Sequence, residues 1–194
     1  MSGTILLDDV VTYLEMFERP TRPSRPAPPL KLALMRAEDC TVSYYRYLYA
    51  TVGEPWAWFE RRLWTDERLA SVLRRPETEL AILYVAGVPA GYYELDRGDP
   101  DDVELAYFGL APEFIGRRLG PWLLDAAIDA AFRTEPKRLF VHTCTFDHPR
   151  ALGLYQRAGF RVYEQRAVRF PDPRQAGLLP RTLRHPRLPP LPET

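Results

Sequence analysis

The sequence predicts a mixed α/β (α+β) fold, a twisted sheet with helices packed on it, and three observations predict it. Short apolar runs rich in β-branched and aromatic residues alternate with stretches of helical periodicity from residue 30 to residue 170. Within that region, residues 103–132 run from a strand through a glycine-bearing turn into a helix. The 20 prolines crowd the two ends, five at residues 20–29 and seven at residues 171–192. Neither proline-rich stretch can be a long helix or a central strand. The chain therefore divides into an N-terminal strand and proline-rich arm (1–29), a central domain (30–170) and a proline-rich C-terminal tail (171–194). Flexible or surface-laid arms are the simplest reading of the two ends, ahead of proline motifs for a partner domain.

Taken in order, residues 10–16 alternate like an extra strand ahead of the arm, one that would lie against the main sheet. Residues 30–35 form the first core strand, and residues 36–41 turn into helix. A helical pattern fills residues 41–75, broken at Gly53-Glu54-Pro55. That stretch holds Tyr44, Tyr45, Tyr47, Tyr49, Trp56, Trp58, Phe59 and Trp64. This is more aromatic density than a small core needs, so part of the cluster is expected to line a pocket. Residues 79–86 and 90–96 are strands joined through Gly87-Val88-Pro89, and residues 98–101 make the next turn. Leu105 to Leu110 is a short buried-strand run that Ala111-Pro112 interrupts. From Leu119, apolar positions at 119, 123, 124, 127, 128, 131 and 132 make one helical stripe, with Arg117, Asp125, Asp129 and Arg133 opposite. Residues 138–143 are a strand, 149–158 a short helix ended by Gly159, and 160–170 the last strand.

The turn at residues 116–120 carries the first chemical signal. Gly116 and Gly120 bracket the first turn of a helix, where backbone N–H groups lack intrahelical acceptors, which makes a ready anion site. Pro121 removes a donor that would have been free anyway, and Arg117 and Arg118 add positive charge. Tight strand-to-helix geometry alone would also use glycines here.

The strand ending Leu-Ala-Pro-Glu, followed by Gly116-Arg117-Arg118-Leu119-Gly120, resembles the acyl-CoA pyrophosphate loop of the GNAT N-acetyltransferase superfamily. A second stretch, His148 to Phe160, resembles that family's Asn-x-x-Ala-x-x-x-Tyr-x-x-x-Gly-Phe segment, through Ala151, Tyr155, Gly159 and Phe160. Together the two span about residues 88–170. Ile115 and Arg118 stand where the family loop has Arg or Gln and a glycine, and His148 stands where Asn is usual. Either the ligand lies slightly differently, or Arg118 itself contacts phosphate. The resemblance implies a GNAT-like sheet and acetyl-CoA as co-substrate. Its binding residues would be Phe108, Gly109, Leu110, Ile115, Gly116, Arg117, Arg118, Leu119, Gly120, His148, Ala151 and Tyr155.

A chain of 194 residues is enough for one domain with a sizeable core. Formal net charge is zero, so no global field favours nucleic acid or an anionic membrane. With no run of about 18 apolar residues and no leader pattern, the expectation is a soluble cytoplasmic protein. Cys40 and Cys144 lack disulfide-framework or metal spacing, and His142 and His148 lack a companion carboxylate or cysteine at metal spacing, so no metal is expected. No Gly-x-Ser-x-Gly is present, which disfavours a serine hydrolase.

Moving an acyl group from a thioester to an amine needs a base, oxyanion donors and an acid for the leaving thiolate. By resemblance, Tyr155 is the general acid, and Glu104 corresponds to the strand glutamate that serves as base in the histone-type branch, with Glu94 as its rival. Strand alternation puts Glu104 on the face of Ala106 and Phe108, with Tyr107 opposite. The oxyanion donor would be the backbone N–H of Gly109 or Leu110. The reading is an N-acetyltransferase acting by direct transfer in a ternary complex on a primary amine, either a small molecule or a protein N-terminus. A homodimer is left open. Two alternatives stand beside it: a non-catalytic acyl-CoA-binding module on the same fold, and an interaction protein that uses its proline-rich arms.

Overall fold

The computed structural model describes residues 3–192. Seven strands form one mixed sheet: β1 (Leu6–Met16), β2 (Leu32–Arg36), β3 (Thr78–Val85), β4 (Val88–Asp96), β5 (Asp102–Leu110), β6 (Arg138–Cys144) and β7 (Arg161–Pro171), in the order β2-β3-β4-β5-β6-β1-β7. Four helices pack on it: α1 (Val42–Gly53), α2 (Asp66–Leu73), α3 (Leu119–Ala131) and α4 (Ala151–Ala158).

Local chemistry sets the element ends. The Thr41 and Thr65 side chains accept from the N–H groups of Tyr44 and Arg68, which caps α1 and α2. The β3–β4 hairpin turns through Ala86 and Gly87, both at positive φ, as a tight hairpin requires. Gly159, at φ +116°, ends α4.

The extra strand belongs to the sheet itself. β1 runs antiparallel to both neighbours, inserted between β6 and β7, and pairs Val11 with Cys144 on one side and with Arg166 on the other. It starts four residues earlier than its alternation suggests. One core lies between the sheet and α3 and α4, around Leu83, Leu95, Leu105, Leu123 and Ile128. A second lies under α1 and α2 on the opposite face, around Tyr45, Tyr49, Leu69, Ile82 and Tyr92.

Both proline-rich ends are anchored on the body. Asp125, expected on the solvent face of α3, is only 4% exposed because Arg22 and Arg25 close over it at 2.7 and 2.6 Å. Burial alone would raise its pKa; these two arginines and the Arg25 N–H hold it below the usual carboxylate value. At the other end Arg174 and Asp172 form a fully buried ion pair at 2.6 Å, and Leu179 packs with Leu7 and Phe146 in a third apolar cluster. Arg174 also donates to the carbonyl oxygens of Leu183 and Pro189, which holds the last extended stretch in place.

Candidate functional site

The site exists because the sheet splits. β5 and β6 are parallel partners only over Asp102 to Glu104, the last pair being Glu104 with Phe140. Beyond it β5 keeps β4 as its partner and leaves β6, and a cavity of about 580 Å³ opens between them. Leu105 to Leu110 lines one wall, Val141, His142 and Cys144 the other, and β1 contributes Asp9, Val11 and Tyr13.

A bulge decides what faces what along β5. Tyr107 pairs with Glu94 while Leu105 pairs with Leu95, so Ala106 is the extra residue. The alternation slips there. Phe108 packs into the α3 core with Leu105, and Tyr107 packs toward the α1 core. The expected shared face of Glu104 and Phe108 is therefore corrected: Tyr107, not Phe108, lies on the Glu104 side of the sheet. Glycines set the close approaches around it. A Cβ on Gly91 would sit 2.4 Å from the Gly109 carbonyl oxygen, and a Cβ on Gly109 would sit 2.4 Å from Val52 Cγ1.

One end of the cavity is built from backbone. Gly116 at φ +85° and Arg118 at φ 62° turn the chain into α3. None of the N–H groups from Gly116 to Gly120 donates to a backbone carbonyl among the described residues. Ile115, Gly116, Arg118, Leu119 and Gly120 line the cavity, with Arg150, Ala151 and Arg157 of the α4 region across from them. Free donors and three arginines suit an anion such as a pyrophosphate. Arg117 is the exception among the expected residues, lying outside the cavity lining with its guanidinium over the Phe114 ring at 4.9 Å.

Tyr155 stands between the two ends. It lines the cavity from α4, its ring edge-on to Phe108 and Phe160, and its hydroxyl has no hydrogen-bond partner among the described residues. Burial first, and Asp147 second, push the phenol well above its ordinary value, so it is held protonated and able to donate. His148 lines the same wall, its Nδ1 accepting from the Arg150 N–H at 3.0 Å and its ring edge-on to Trp56.

The other end is built from side chains. Trp56, Trp58, Tyr107 and Tyr13 wall it, and Asp9, Glu60 and Asp147 give it negative character. Trp58 Nε1 donates to Asp147 at 2.9 Å, and Tyr49 donates to Glu60 at 3.2 Å. His142 lines this end with Glu104 Oε1 3.4 Å from its Nδ1. Glu104 holds the imidazole above its ordinary pKa, against the opposing effect of burial.

The Acetyltransferase (GNAT) family model matches residues 39–160, well over half of the chain. The protein belongs to the GNAT family. Among solved structures, a GCN5-related N-acetyltransferase from Sphaerobacter thermophilus aligns with TM-score 0.59 and 20% identity over 87% of this chain and 53% of its own. A putative GNAT acetyltransferase from Novosphingobium aromaticivorans aligns with TM-score 0.56 and 17% identity over 84% of this chain and 63% of its own. A GNAT acetyltransferase from Elizabethkingia anophelis, solved with acetyl-CoA bound, aligns with TM-score 0.50 and 21% identity over 69% of this chain and 78% of its own. The chain spans only about half to two thirds of the first two proteins, and at these identities the likeness is one of fold. No protein of curated function matches the sequence.

Within this GNAT domain the expected residues divide. Most of the expected cofactor residues share the cavity with Tyr155, including Phe108, Gly109 and Leu110 on β5. Glu94 does not. It is 1% exposed, ion-paired with Arg61 at 2.6 Å and accepts from the Tyr45 hydroxyl at 2.5 Å, outside the cavity lining. Burial raises its pKa and Arg61 opposes that shift. A carboxylate so enclosed has no path to an acceptor, which corrects the expectation of Glu94 as rival base. Glu104 lies behind His142 rather than in the lining. Of the aromatic cluster, Trp56 and Trp58 line the cavity, while Tyr45 and Tyr49 are core and Tyr47 is exposed. No helix among the described residues is long and apolar enough to cross a membrane.

Proposed function

We propose that this GNAT domain transfers an acetyl group from acetyl-CoA directly to a primary amine in a ternary complex. The observation that carries this is one continuous cavity, which joins a backbone anion turn to an aromatic and acidic end past Tyr155. Acetyl-CoA supplies the activated thioester, and its charged portion fits the unpaired N–H groups of residues 116–120 with Arg118 beside them. The acidic end, with its aromatic walls, favours an acceptor that arrives as a cation.

Tyr155 donates its phenol proton to the departing sulfur as the carbon–sulfur bond breaks and the carbon–nitrogen bond forms; a proton from the acceptor nitrogen restores the phenol. Of the two expected oxyanion donors, the backbone N–H of Leu110 is the one free for the carbonyl oxygen as it gains charge: Ala111 donates to the Ala90 carbonyl oxygen, so by antiparallel alternation Gly109 is the residue paired with Tyr92 of β4, and Leu110 turns its N–H to the open edge of β5. The acceptor ammonium must first lose one further proton, on the Glu104 and His142 side.

The experiment has two parts. Calorimetry measures acetyl-CoA binding, and thiol release from acetyl-CoA is followed with phenethylamine, cadaverine and glycinamide as probe acceptors. Binding with thiol release for at least one amine is the expected outcome; binding without release for any of them would leave only an acyl-CoA-binding module. Tyr155→Phe should keep acetyl-CoA affinity within a few fold and lower kcat ~10²-fold.

A further inference from the structure

Glu94, Glu104 and His142 differ in their access to the acceptor's proton: of the three only His142 lines the cavity. Glu94 is enclosed with Arg61. Glu104 is half-buried, and His142 stands between it and the cavity. We propose that His142 is the proton acceptor for the incoming ammonium, with Glu104 as the positioning residue behind it. The inference rests on the transferase reading above.

The fold builds the pair. The parallel register matches Glu104 with Phe140, so His142 lies two residues further along β6, on the same face as Phe140 and opposite Leu139 and Val141, which are buried in the α3 core. Glu104 likewise faces away from that core, between buried Val103 and Leu105. The two side chains thus meet on the α1 side of the sheet, at the point where β5 and β6 part. Glu104 faces Nδ1, which fixes that nitrogen as the one carrying hydrogen and leaves Nε2 with the lone pair.

The other groups around the imidazole agree with a base. Tyr13 of β1 packs on it at 5.8 Å between ring centroids, and Arg166 of β7 lies on the Tyr13 ring. Glu60, from the segment after α1, and Asp147, from the loop after β6, add negative charge that favours the imidazolium. In the proposed step the ammonium gives one proton to Nε2, the neutral amine attacks, and the imidazolium passes that proton to water. The charge that forms on the ring is the one Glu104 stabilises.

The test uses the full chain. Proton NMR should show one imidazole titrating above 6.5, absent from His142→Gln and moved to lower pH in Glu104→Gln; His148 and His185 are both held below that value by burial. With the fastest of the probe amines, kcat/KM of the wild type should rise with pH through that same value, because only the neutral imidazole accepts a proton. In His142→Gln it should fall ~10²-fold near neutrality, with acetyl-CoA affinity kept, and rise only toward the amine's own pKa of ~10. In Glu104→Gln the limb should persist at lower pH. Loss of the limb in Glu104→Gln with its retention in His142→Gln would make Glu104 the base and overturn the proposal. So would an imidazole that titrates at or below 6.5 and ignores Glu104→Gln. No thiol release from the wild type with any amine would instead overturn the transferase reading, and the proposal with it.

Discussion

The two ends of the cavity are made in different ways. The anion end centres on one contiguous turn, residues 115–120, whose free donors are backbone N–H groups and whose shape is set by positive φ at Gly116 and Arg118, with Arg150 and Arg157 of the α4 region across from it. The acceptor end draws on β1, the segment after α1, β5, β6 and the loop after β6. A backbone turn tolerates side-chain change; an assembly of distant side chains depends on everything that holds its parts together. The acceptor end should therefore be the more fragile half.

The largest effect is expected from a residue that touches neither end. Asp172 pairs with Arg174 in full burial, and the segment they anchor packs His185 against Phe146 and edge-on to Trp56 of the acceptor wall. Asp172→Asn leaves a buried cation without its partner, a loss of roughly 3–5 kcal/mol. Denaturant unfolding measures it. If the contrast holds, the acceptor KM should rise in this variant while acetyl-CoA affinity changes little. The pH dependence has a definite sign. Burial alone would raise Asp172, but Arg174 holds its folded pKa below 3.8. The pair's contribution is complete above that ordinary value and is lost as pH falls through the lower folded one. Acid unfolding should be less steep in Asp172→Asn.

A middle-sized effect is expected at the joint between the halves. A Cβ on Gly109 would meet Val52 Cγ1 at 2.4 Å, so Gly109→Ala must push α1 away from β5. Overpacking of this kind costs about 1–3 kcal/mol. Because Trp56 and Trp58 follow α1 directly, the acceptor wall should move with it. Val52→Ala in the same chain should restore part of the lost stability, a coupling that a double-mutant cycle reads. Strict additivity would show that α1 does not take up the strain.

The same contrast explains what the sequence could tell. The turn at 116–120 was legible because its signal is local: two glycines, a proline and a helical stripe within a short stretch. The strands and helices of the central domain were legible for the same reason. The Ala106 bulge left no trace, since one extra residue in an apolar strand changes no composition, yet it reversed the faces of Tyr107 and Phe108. The insertion of β1 between β6 and β7 depends on pairing across more than a hundred residues. His142 belongs to no motif and lacks metal spacing, so nothing local in the sequence marks it as a base. The available signal was a lone titratable residue in the apolar run Leu-Phe-Val-His, two register positions beyond the glutamate on the neighbouring strand.

The smallest effect belongs to the backbone-built end, and it distinguishes two ways of holding an anion. Gly120 is the second residue of α3, and a Cβ there would meet Leu110 and Leu154 at 3.8 Å, ordinary contact distance. Its φ is not in the left-handed region, so Gly120→Ala carries no strain and should stabilise the fold by about 0.4–1 kcal/mol through the unfolded chain. A slightly raised Tm is therefore expected. Acetyl-CoA affinity then reports on the anion alone. If phosphate is held by the N–H groups at the start of α3, the added methyl stands in its approach and affinity should fall by several fold, whereas Arg118→Ala should cost less. If Arg118 supplies the main contact, the order reverses, and Gly120→Ala binds as the wild type does. Calorimetry on the two variants decides between them, and the reversed order would mean that this end too is built from a side chain, which removes the contrast.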